Sequence, residues 1–403
     1  MRPHGASCRI IYVASVDLTE GAGPAVNERE SLLALRRLLG DDLFVIAGEP
    51  RATDPDLDAI RLDRTLPWGR GRGPLRLLSH QLAKARILRA EVRRLRPSCV
   101  IVRLDGLPLG LLLATLGSDV RLVVKTASTS SLRVDPDKHG RLAAALHHRL
   151  VRALARKVVG ADTITPQRRG IVAGELGLRE SRVEVIDNGV NVERFHPVDR
   201  SEARRRCGID PDAVVFGYAG AQAWTRGGRH LIDAAKALRA ELAKPLIVIV
   251  GGGESIERLR AHARDIGHDD ICVFPGLVPY EDVVWWMNTF DVAVSIESGE
   301  RARREGHAQQ KVRQYTAAGV PVVSALGGNA YLAEHDLGSV VDPDDIAAFG
   351  EALIRWSRLA DRDRADFRQR ARTFAAGHLA VEALNEARVD FWRRVGCVGT
   401  DPS

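Results

Sequence analysis

Short runs of apolar, largely β-branched residues alternate with helix-like segments along the chain, and this alternation limits its fold more than any other feature. In the second half the runs are Val214–Tyr218, Leu246–Val250, Ile271–Phe274, Val292–Ile296, Pro321–Ser324 and Ser339–Val341. The segments between them include Gly228–Leu242, Ile256–Ile266 and Ala347–Leu359. Apolar strands separated by helices are typical of a parallel sheet that is covered on both faces. We therefore predict an α/β fold built on doubly wound parallel sheets.

The first half follows the same plan, so the sequence predicts two domains. Its strand-like runs are Arg9–Val13, Leu43–Ala47, Cys99–Val102, Leu122–Val124 and Val183–Ile186. Between the halves, Asp187–Pro197 contains Asn188-Gly189 and ends in proline, and these residues favour turns and suit a hinge. Ligands of such folds lie outside the carboxyl ends of the parallel strands. We expect the site in a cleft between two facing domains.

The cysteine and hydropathy patterns exclude several classes of protein. Five cysteines are scattered without a Cys-x-x-Cys pair, which argues against a disulfide framework or a structural zinc and fits a reducing cytoplasm. The residues before the apolar run Cys8–Ala14 lack the apolar segment of a secretory signal. The longest apolar stretch, Leu107–Gly117, is too short to span a bilayer. We therefore expect a cytoplasmic protein.

Positive charge is concentrated in the first half of the chain. Residues 1–200 carry 33 lysines and arginines against 23 aspartates and glutamates, and ten of the basic residues lie between Arg64 and Arg96. Trp68 is the only aromatic residue there, so stacking side chains are scarce and we expect no nucleic-acid partner. Within this stretch, Leu75–Leu95 has a leucine-rich stripe opposite its arginines. It is either an ordinary helix with a buried stripe, which the lack of aromatic residues favours, or a helix that lies on an anionic membrane.

Five ordered segments between Val185 and about Leu353 resemble one known family of enzymes. They read VIDNGVNVERFHP at 185–197, FGYAGAQAWTRGGRHLID at 216–233, IVIVGGGESIERL at 247–259, QYTAAGVPVV at 314–323 and, after Gly327-Gly328, VVDPDD at 340–345. These segments are similar to motifs of the retaining family 4 glycosyltransferases of the GT-B fold. Before Val185 the resemblance is one of layout, through a glycine-rich loop after the first strand and RLRPSCVIV at 94–102.

The resemblance implies a GT-B fold, in which two Rossmann-like doubly wound domains face each other across a cleft. An N-terminal, acceptor-side domain would comprise residues 1–195, and a C-terminal donor domain residues 196–375. A helix at about 376–396 would pack back on the first domain. The implied reaction moves a sugar from a nucleoside diphosphate to a hydroxyl group with retention of configuration. It requires no metal and no cofactor, since the nucleotide sugar is a co-substrate.

The acceptor and the cellular setting are implied only broadly. A small molecule or a lipid-linked compound would serve as the acceptor. Some relatives place a basic helix on anionic membranes, which would put the chain at the inner face of the cytoplasmic membrane. The arginine- and alanine-rich composition is common in GC-rich bacterial genomes, where glycosyltransferases modify secondary metabolites and the cell envelope.

A departing diphosphate must be stabilised by fixed cations and backbone N–H groups when no metal is present. Arg226 falls on a lysine position of the family and is predicted to bind phosphate oxygens, with a solvated arginine at a helix start as the alternative. The family's preceding arginine falls on Ala221, so one cation is missing. Lys311, or one of the arginines between 301 and 304, could replace it. We predict that Arg226 and Lys311 take part in catalysis.

Two carboxylates usually bracket the next helix in the family, and this chain changes both. Gln314 occupies the second position, where an amide can accept from one ribose hydroxyl and donate to the other. Glu305 lies nine residues earlier, one more than the family spacing, and is either a carboxylate that contacts the sugar or an exposed loop acid. Glu305 joins the two cations in the predicted catalytic group. The backbone amides around Gly306 and His307 suit an anion of the donor.

Glycine-rich loops supply the remaining candidates for donor binding. Gly220 and Gly252 follow strands and would let the backbone approach a nucleotide, although a tight strand-to-helix turn explains Gly251–Gly253 equally well. Gly23 lies in a Gly-x-Gly loop after the first strand and has the same two interpretations, with a plain turn favoured. By resemblance, Val278 offers backbone groups to the base, which leaves the identity of the base open.

Departures from the family pattern keep other functions open. Relatives often carry a histidine after the strand Leu122–Val124, where this chain has Lys125, and we expect a solvated lysine rather than a contact for an anion. With Gln314 and Ala221 as further departures, the chain could be a non-catalytic GT-B homologue that acts as a partner protein. It could also be a pseudo-glycosyltransferase or a phosphorylase on the same fold.

Overall fold

The computed structural model describes residues 9–21, 23–104, 106–126, 128–306, 308–325, 327–359 and 361–398. Contacts between Cα atoms divide the chain into two units. The first unit comprises the described residues up to Asn188 and those from Glu382 onward, and the second comprises Gly189–Val381. Each unit is built on one parallel sheet, as the alternation of apolar runs and helices predicts.

Seven strands form the sheet of the first unit, in the order β3-β2-β1-β4-β5-β6-β7. They are β1 Ile10–Ala14, β2 Leu43–Gly48, β3 Arg64–Leu66, β4 Cys99–Arg103, β5 Arg121–Thr126, β6 Val158–Thr163 and β7 Val183–Val185. The helices between them are α1 Gly23–Leu39, α2 Pro55–Ile60, α3 Gly73–Leu95, α4 Leu109–Thr115, α5 Pro136–His139, α6 Arg141–Ala155 and α7 Pro166–Leu176. β1 pairs with β2 and β4, and all five of its residues are buried, which explains its apolar sequence.

Six strands form the sheet of the second unit, in the order β10-β9-β8-β11-β12-β13. They are β8 Val214–Ala219, β9 Pro245–Val250, β10 Cys272–Gly276, β11 Val292–Ser295, β12 Val322–Ala325 and β13 Gly338–Val341. Its helices are α8 Arg200–Cys207, α9 Gly227–Asp233, α10 Ala235–Glu241, α11 Ile256–Asp265, α12 Val283–Thr289, α13 Glu300–Glu305, α14 Gln310–Ala317, α15 Tyr331–Glu334, α16 Ile346–Ser357 and α17 Asp361–Phe374. A π-helical turn at Ala375–Leu379 leads into α18, Val381–Arg394.

Two strands, β3 and β6, do not follow the apolar pattern and are not predicted. β3 is a three-residue edge strand with two exposed residues. β6 reads VVGADT, and its glycine and aspartate are buried. Gly160 is needed because Phe391 of α18 packs on it, and an added Cβ would lie 2.9 Å from the phenylalanine ring. The predicted helix Gly228–Leu242 is in fact two helices, α9 and α10, which meet at Ala234.

A cluster of buried charges lies at the carboxyl ends of β4 and β5, and it shows that the prediction of a solvated Lys125 is wrong. Lys125 Nζ is 2.8 Å from Glu28 Oε1, and both side chains are only 2% exposed. Arg103 Nη1 lies 3.3 Å from the same oxygen, while Tyr12 donates to Glu28 Oε2 at 2.6 Å. Burial by itself would raise the pKa of Glu28, but the two cations lower it to about 2. We call these four residues the Glu28 cluster.

In helix α3 the buried side chains follow the predicted apolar stripe only in part, because Gln81 and Lys84 are 2% and 1% exposed. Leu88 and Val92 lie in the core and are 0% and 6% exposed. Leu75, Leu78 and Leu82, on the same stripe, are exposed by 71%, 45% and 51%. None of the helices in the described ranges is long and apolar enough to cross a membrane.

Candidate functional site

Two loops nest against each other at the carboxyl edge of the second sheet. The loop after β8 begins at Gly220, and the glycine turn after β9 packs on its backbone. A Cβ added at Gly251 would lie 2.3 Å from the carbonyl oxygen of Gly220, and one at Gly253 would lie 2.3 Å from that of Gln222. Both glycines are therefore required by the close approach of the two backbones, at φ of +113° and +155°.

Gly252 differs from its two neighbours, because the three atoms nearest to an added Cβ all belong to the side chain of Leu277, the closest 3.0 Å away. Its carbonyl accepts a hydrogen bond of 2.9 Å from the N–H of Gln222. The turn thus has a structural role, and the predicted approach of Gly252 to a nucleotide stays a prediction.

Gln222 fixes this pair of loops, and the sequence patterns give no sign of its role. Its side chain is 2% exposed, and Nε2 donates to the carbonyl oxygens of Gly220 at 2.8 Å and Val250 at 3.0 Å. One amide group therefore links the ends of β8 and β9. A single glutamine in a loop carries no periodic or motif signal, so only the structure identifies it.

Two basic side chains are linked to one carbonyl group in the loop after β8, Arg226 directly and Lys311 through the hydroxyl of Tyr218. Arg226 Nη1 donates to the carbonyl oxygen of Ala221 at 3.2 Å. Lys311 Nζ donates to the hydroxyl of Tyr218 at 2.6 Å, and that hydroxyl donates to the same carbonyl oxygen at 3.1 Å. An added Cβ at Gly220 would lie 2.7 Å from Lys311 Nζ, so the lysine ends directly beside the loop. The structure thus brings together three of the predicted site residues, Gly220, Arg226 and Lys311.

These cations share a confined environment. Removal from water and the nearby charge of Arg226 lower the pKa of Lys311 well below its usual value, while Glu297 opposes the shift. Burial likewise raises the pKa of Tyr218 above its usual value. The buried Nε of Arg226 has no hydrogen-bond partner among the described residues. The loop therefore offers positive charge and N–H groups that could donate hydrogen bonds to an anion.

The backbone of Arg226 is held by the strand end opposite it. Arg226 and Glu297 form an isolated antiparallel bridge, and the N–H of Ser298 donates to the carbonyl of Thr225 at 2.8 Å. Gln309 Nε2 donates in turn to Glu297 Oε2 at 2.8 Å. The segment after β11 thus fixes the loop that carries Arg226.

Helix α14 is fastened to the end of β8 along one face. Tyr315 lies four residues after Lys311, and its hydroxyl accepts from the backbone N–H of Ala219 at 2.7 Å. Gln314 is 7% exposed and its Nε2 lies 3.5 Å from the hydroxyl of Tyr280, which is a weak contact. Gln314 therefore lies near the loop after β10, on which the base was predicted.

Glu305 ends α13 and is only 2% exposed, so it is not an exposed loop acid. Arg304 Nη2 approaches its Oε1 at 3.4 Å. Gly306 follows with φ of +73°, a left-handed conformation that suits glycine. His307 lies outside the described residues. The predicted contact of Glu305 with a sugar stays a prediction.

The remaining predicted donor contacts are Val278 in the second unit and Gly23 in the first unit. Val278 is half-buried and packs on the core of the second unit, next to Leu277, which is 85% exposed. Gly23 is the exposed first residue of α1 in the first unit, and an added Cβ would meet nothing within 4 Å. Its loop is anchored by Arg103, which donates to the carbonyl of Pro24 at 2.8 Å. Within the described ranges, no group of three or more histidine, cysteine or acidic side chains could hold a metal ion.

The chain is similar in sequence to several known glycosyltransferases. Residues 213–358 match the family described as "Glycosyl transferases group 1". The 2-deoxystreptamine glucosyltransferase of Streptomyces kanamyceticus is 26% identical over 257 residues, which cover 61% of this chain and 66% of that protein. A D-inositol 3-phosphate glycosyltransferase of Kribbella flavida is 31% identical over 188 residues, or 44% of this chain and 43% of that protein. The chain thus aligns with about half to two thirds of the length of these relatives.

Solved structures support the fold over nearly the whole chain. Anabaena HepE, in complex with UDP and glucose, superposes with a TM-score of 0.72 at 16% identity and covers 96% of this chain and 99% of its own. Sucrose-phosphate synthase of Thermosynechococcus elongatus gives a TM-score of 0.72 at 16% identity, over 97% and 100% of the two chains. Residues 213–358 therefore match the group 1 glycosyltransferase family, and the chain has the GT-B-type fold.

Proposed function

We propose that the chain is a glycosyltransferase that moves a sugar from a nucleoside diphosphate to a hydroxyl acceptor, with retention of configuration and without a metal. The observation that carries this proposal is the position of Arg226 and Lys311 at the loop after β8, where Arg226 donates to the carbonyl of Ala221 and Lys311 to the hydroxyl of Tyr218. Ligands of doubly wound sheets lie at this edge. The relatives named as glycosyltransferases, and a structural neighbour that holds UDP, support the same donor class.

Arg226 and Lys311 would stabilise the charge that develops on the diphosphate as the bond between the sugar and the phosphate oxygen breaks. In the front-face reaction that we propose, the acceptor oxygen attacks the same face of the sugar that the diphosphate leaves. A departing phosphate oxygen takes the acceptor's proton. The bond between the sugar and the acceptor oxygen thus forms, and the bond to the phosphate oxygen breaks, without a dedicated base.

The other predicted donor contacts surround these cations. Gln314 would bind the ribose hydroxyls, Val278 would offer backbone groups to the base, and Glu305 would contact the sugar. Backbone amides near Gly220, Gly252 and Gly306 would approach the phosphates, and for Gly23 and His307 the proposed donor contact rests on the sequence alone. No cofactor is required in this scheme.

Calorimetric titration with UDP, GDP, ADP and TDP, in buffer containing EDTA, tests the donor site directly. We expect one of the four to bind with a Kd below millimolar, and the matching nucleoside monophosphate to bind more weakly. If none binds at millimolar concentration, the donor site is wrong, and a non-catalytic partner protein becomes the better description.

Slow hydrolysis of a nucleotide sugar with the preferred base separates an enzyme from a binding protein. A competent site releases free sugar and nucleoside diphosphate, whereas a non-catalytic homologue releases neither. Adding inorganic phosphate distinguishes a phosphorylase, which would form a sugar phosphate. The anomer of the first transfer product, read by NMR, tests retention.

On the acceptor side, the exposed half of α3 suits an anionic membrane. Leu75, Leu78 and Leu82 present apolar side chains, and exposed arginines at 70, 72 and 76 lie next to them in the sequence. Apolar and cationic groups on one helix are the combination that binds the headgroup region of an anionic bilayer. We therefore place the protein in the cytoplasm with reversible association to the inner face of the membrane, where a lipid-linked acceptor would be found. A small soluble acceptor is the alternative.

A further inference from the structure

A recess with a volume of about 350 Å³ lies at the edge of the first sheet where its parallel strands begin, opposite to the edge at which ligands of such folds usually bind. Its walls come from the starts of β1, β2 and β3 and from the last turns of α1 and α3. Most of the side chains that line it are charged. They are Arg9, Arg36, Arg61, Arg94, Asp41 and Asp63.

Two of the arginines are neutralised within the fold. The side chain of Arg36 is only 10% exposed, and its guanidinium lies 3.4 Å from Asp63 and donates to the carbonyl oxygen of Gly40 at 2.8 Å. Carbonyl groups at the end of a helix disfavour an anion, and Arg36 offsets this effect after α1. Arg61 Nη1 lies 3.2 Å from Asp41. These two ion pairs leave no net charge.

The other charges around the recess do not balance. Glu91 is shared by two arginines, since it accepts from Arg64 at 2.8 Å and from Arg94 at 2.6 Å. Arg9 is exposed, and no ion pair holds it within the part of the chain that the structure describes. Three guanidinium groups therefore share one carboxylate, and two positive charges remain.

The two arginines in excess at the recess, Arg9 and Arg94, are held by regular elements beside an apolar surface. The carbonyl of Arg9 accepts from the N–H of Ser98 at 3.1 Å, which fixes the chain entering β1 against the chain entering β4. The guanidinium of Arg94 lies over the ring of Phe44, 5.4 Å from its centroid. Two leucines complete the lining, Leu43 and Leu95.

We propose that this recess binds a phosphate monoester, with Arg9 and Arg94 donating to the phosphate oxygens. Such a group carries nearly two negative charges at neutral pH, which matches the excess of positive charge. Guanidinium groups bind phosphate oxygens through paired N–H groups, and the volume admits a small metabolite. Its carbon skeleton would lie against Phe44 and the two leucines. The inference is independent of the proposed function, because no residue of the donor site takes part.

Calorimetric titration of the full chain with phenyl phosphate, glucose 6-phosphate and inorganic phosphate, at constant ionic strength, tests the site. We expect phenyl phosphate to bind most tightly, because its ring adds contact with the apolar surface. Binding of inorganic phosphate that equals or exceeds that of both monoesters would overturn the assignment to a monoester. Failure of all three to bind at millimolar concentration would overturn the site itself.

Two pairs of substitutions separate the recess from the general positive charge of the chain. The variant with both Arg9→Gln and Arg94→Gln should bind phenyl phosphate at least about tenfold more weakly, the scale of a lost hydrogen bond to a charged group. Arg149→Gln with Arg152→Gln, on the exposed side of α6, removes the same charge and should bind as wild type. Equal weakening in the two double variants would overturn the proposal. Arg9→Gln alone, which leaves the contacts of Arg94 in place, should weaken binding by about three- to tenfold.

The pH dependence of binding provides a second readout. Arginine stays charged and the recess is lined by no histidine among the described residues, so the phosphate itself is the group that titrates near neutral pH. Its second pKa is about 6, and the dianion is the form that matches the excess charge. The affinity should therefore fall about tenfold as the pH is lowered from about 7.5 to about 5. Affinity that stays constant or rises over this range would contradict recognition of the dianion.

Discussion

Lys125 Nζ lies 2.8 Å from Glu28 Oε1 inside the first unit, and neither side chain is more than 2% exposed. Breaking a buried ion pair from one side costs about 3–5 kcal/mol when the charge that stays has no other partner, and Glu28 keeps Arg103 at 3.3 Å, so the lower end of that range applies. We therefore expect Lys125→Met to lower the free energy of unfolding by about that amount, as measured by urea denaturation.

The double variant Lys125→Met with Glu28→Gln is the control, because it removes both charges. It leaves buried Arg103 without its contact with Glu28, so it should be no more stable than Lys125→Met, in which Glu28 keeps Arg103. A single variant that unfolds within about 0.5 kcal/mol of wild type, the range of ordinary surface substitutions, would show that the pair carries little stability.

The carboxylate of Glu28 should also make the free energy of unfolding depend on pH. The pKa of Glu28 is about 2 in the folded chain against 4.5 ordinarily. Because the folded value is the lower one, its stabilisation is complete above about pH 4.5 and is lost as the pH falls toward 2. In Glu28→Gln this component of the decline should be absent. Buried Asp162 is present in both proteins, so a comparison of urea unfolding at pH 5, 4 and 3 isolates Glu28. Parallel declines would contradict the prediction.

The glycine turn after β9 offers a test of the loop packing. A Cβ at Gly251 would lie 2.3 Å from the carbonyl oxygen of Gly220, at a φ of +113°, so the backbone has to move. We expect Gly251→Ala to destabilise the second unit by about 1–3 kcal/mol and to weaken nucleotide binding as well. Thermal unfolding and calorimetry measure the two effects.

Gly252→Ala is the matched control for that substitution. The atoms nearest to its Cβ would be those of the Leu277 side chain, which is 85% exposed and has room to turn away. This variant should therefore unfold within about 0.5 kcal/mol of wild type. If Gly251→Ala and Gly252→Ala behave alike, close backbone packing is not what requires the first glycine.

The fold was largely predictable because its strands are buried on both faces and are therefore apolar throughout. β6 was not predicted, because it contains a glycine and an aspartate that only distant residues explain. Gly160 accommodates Phe391, which lies 231 positions later, and Asp162 lies close to Arg388 inside the unit. The burial of Lys125 was not predicted for the same reason, since its partner Glu28 is distant in sequence. In α3, helical periodicity identified Leu88 and Val92 as buried, but Leu82 is exposed while Gln81 and Lys84 are buried, because the sequence of one helix does not show which elements cover it.

In the candidate site, the sequence placed Arg226 and Gly220 in one loop because the family motif is contiguous there. The convergence of Lys311 on that loop could not be read from the pattern, since it depends on how α14 docks on β8. Gln222 was missed because a single glutamine in a loop has no periodic or motif signal, even though its amide joins two strand ends.

The exposed leucines of α3 should control membrane association. Replacing Leu75, Leu78 and Leu82 together with serine removes the apolar contact and leaves the arginines in place. Each exposed leucine that enters the bilayer contributes roughly 1.5–3 kcal/mol at most, so we expect sedimentation with phosphatidylglycerol vesicles to fall at least about tenfold. Leu88 is buried and is left unchanged. Wild-type binding that is equal for neutral and anionic vesicles, or absent at low salt, would contradict the proposal.

Arg226 is the residue on which the proposed reaction depends most. Its side chain makes one hydrogen bond to the loop, to Ala221, so Arg226→Ala should fold with little loss of stability. Removing a group that stabilises the departing diphosphate should lower the rate of nucleotide-sugar hydrolysis by about 10²- to 10³-fold. Arg226→Lys restores a positive charge and should recover much of the rate. The control is Arg258→Ala, since that exposed guanidinium lies over Trp224, 3.6 Å from the ring centroid. Hydrolysis by Arg226→Ala at the wild-type rate would remove Arg226 from the mechanism, and would leave Lys311 as the cation to test next.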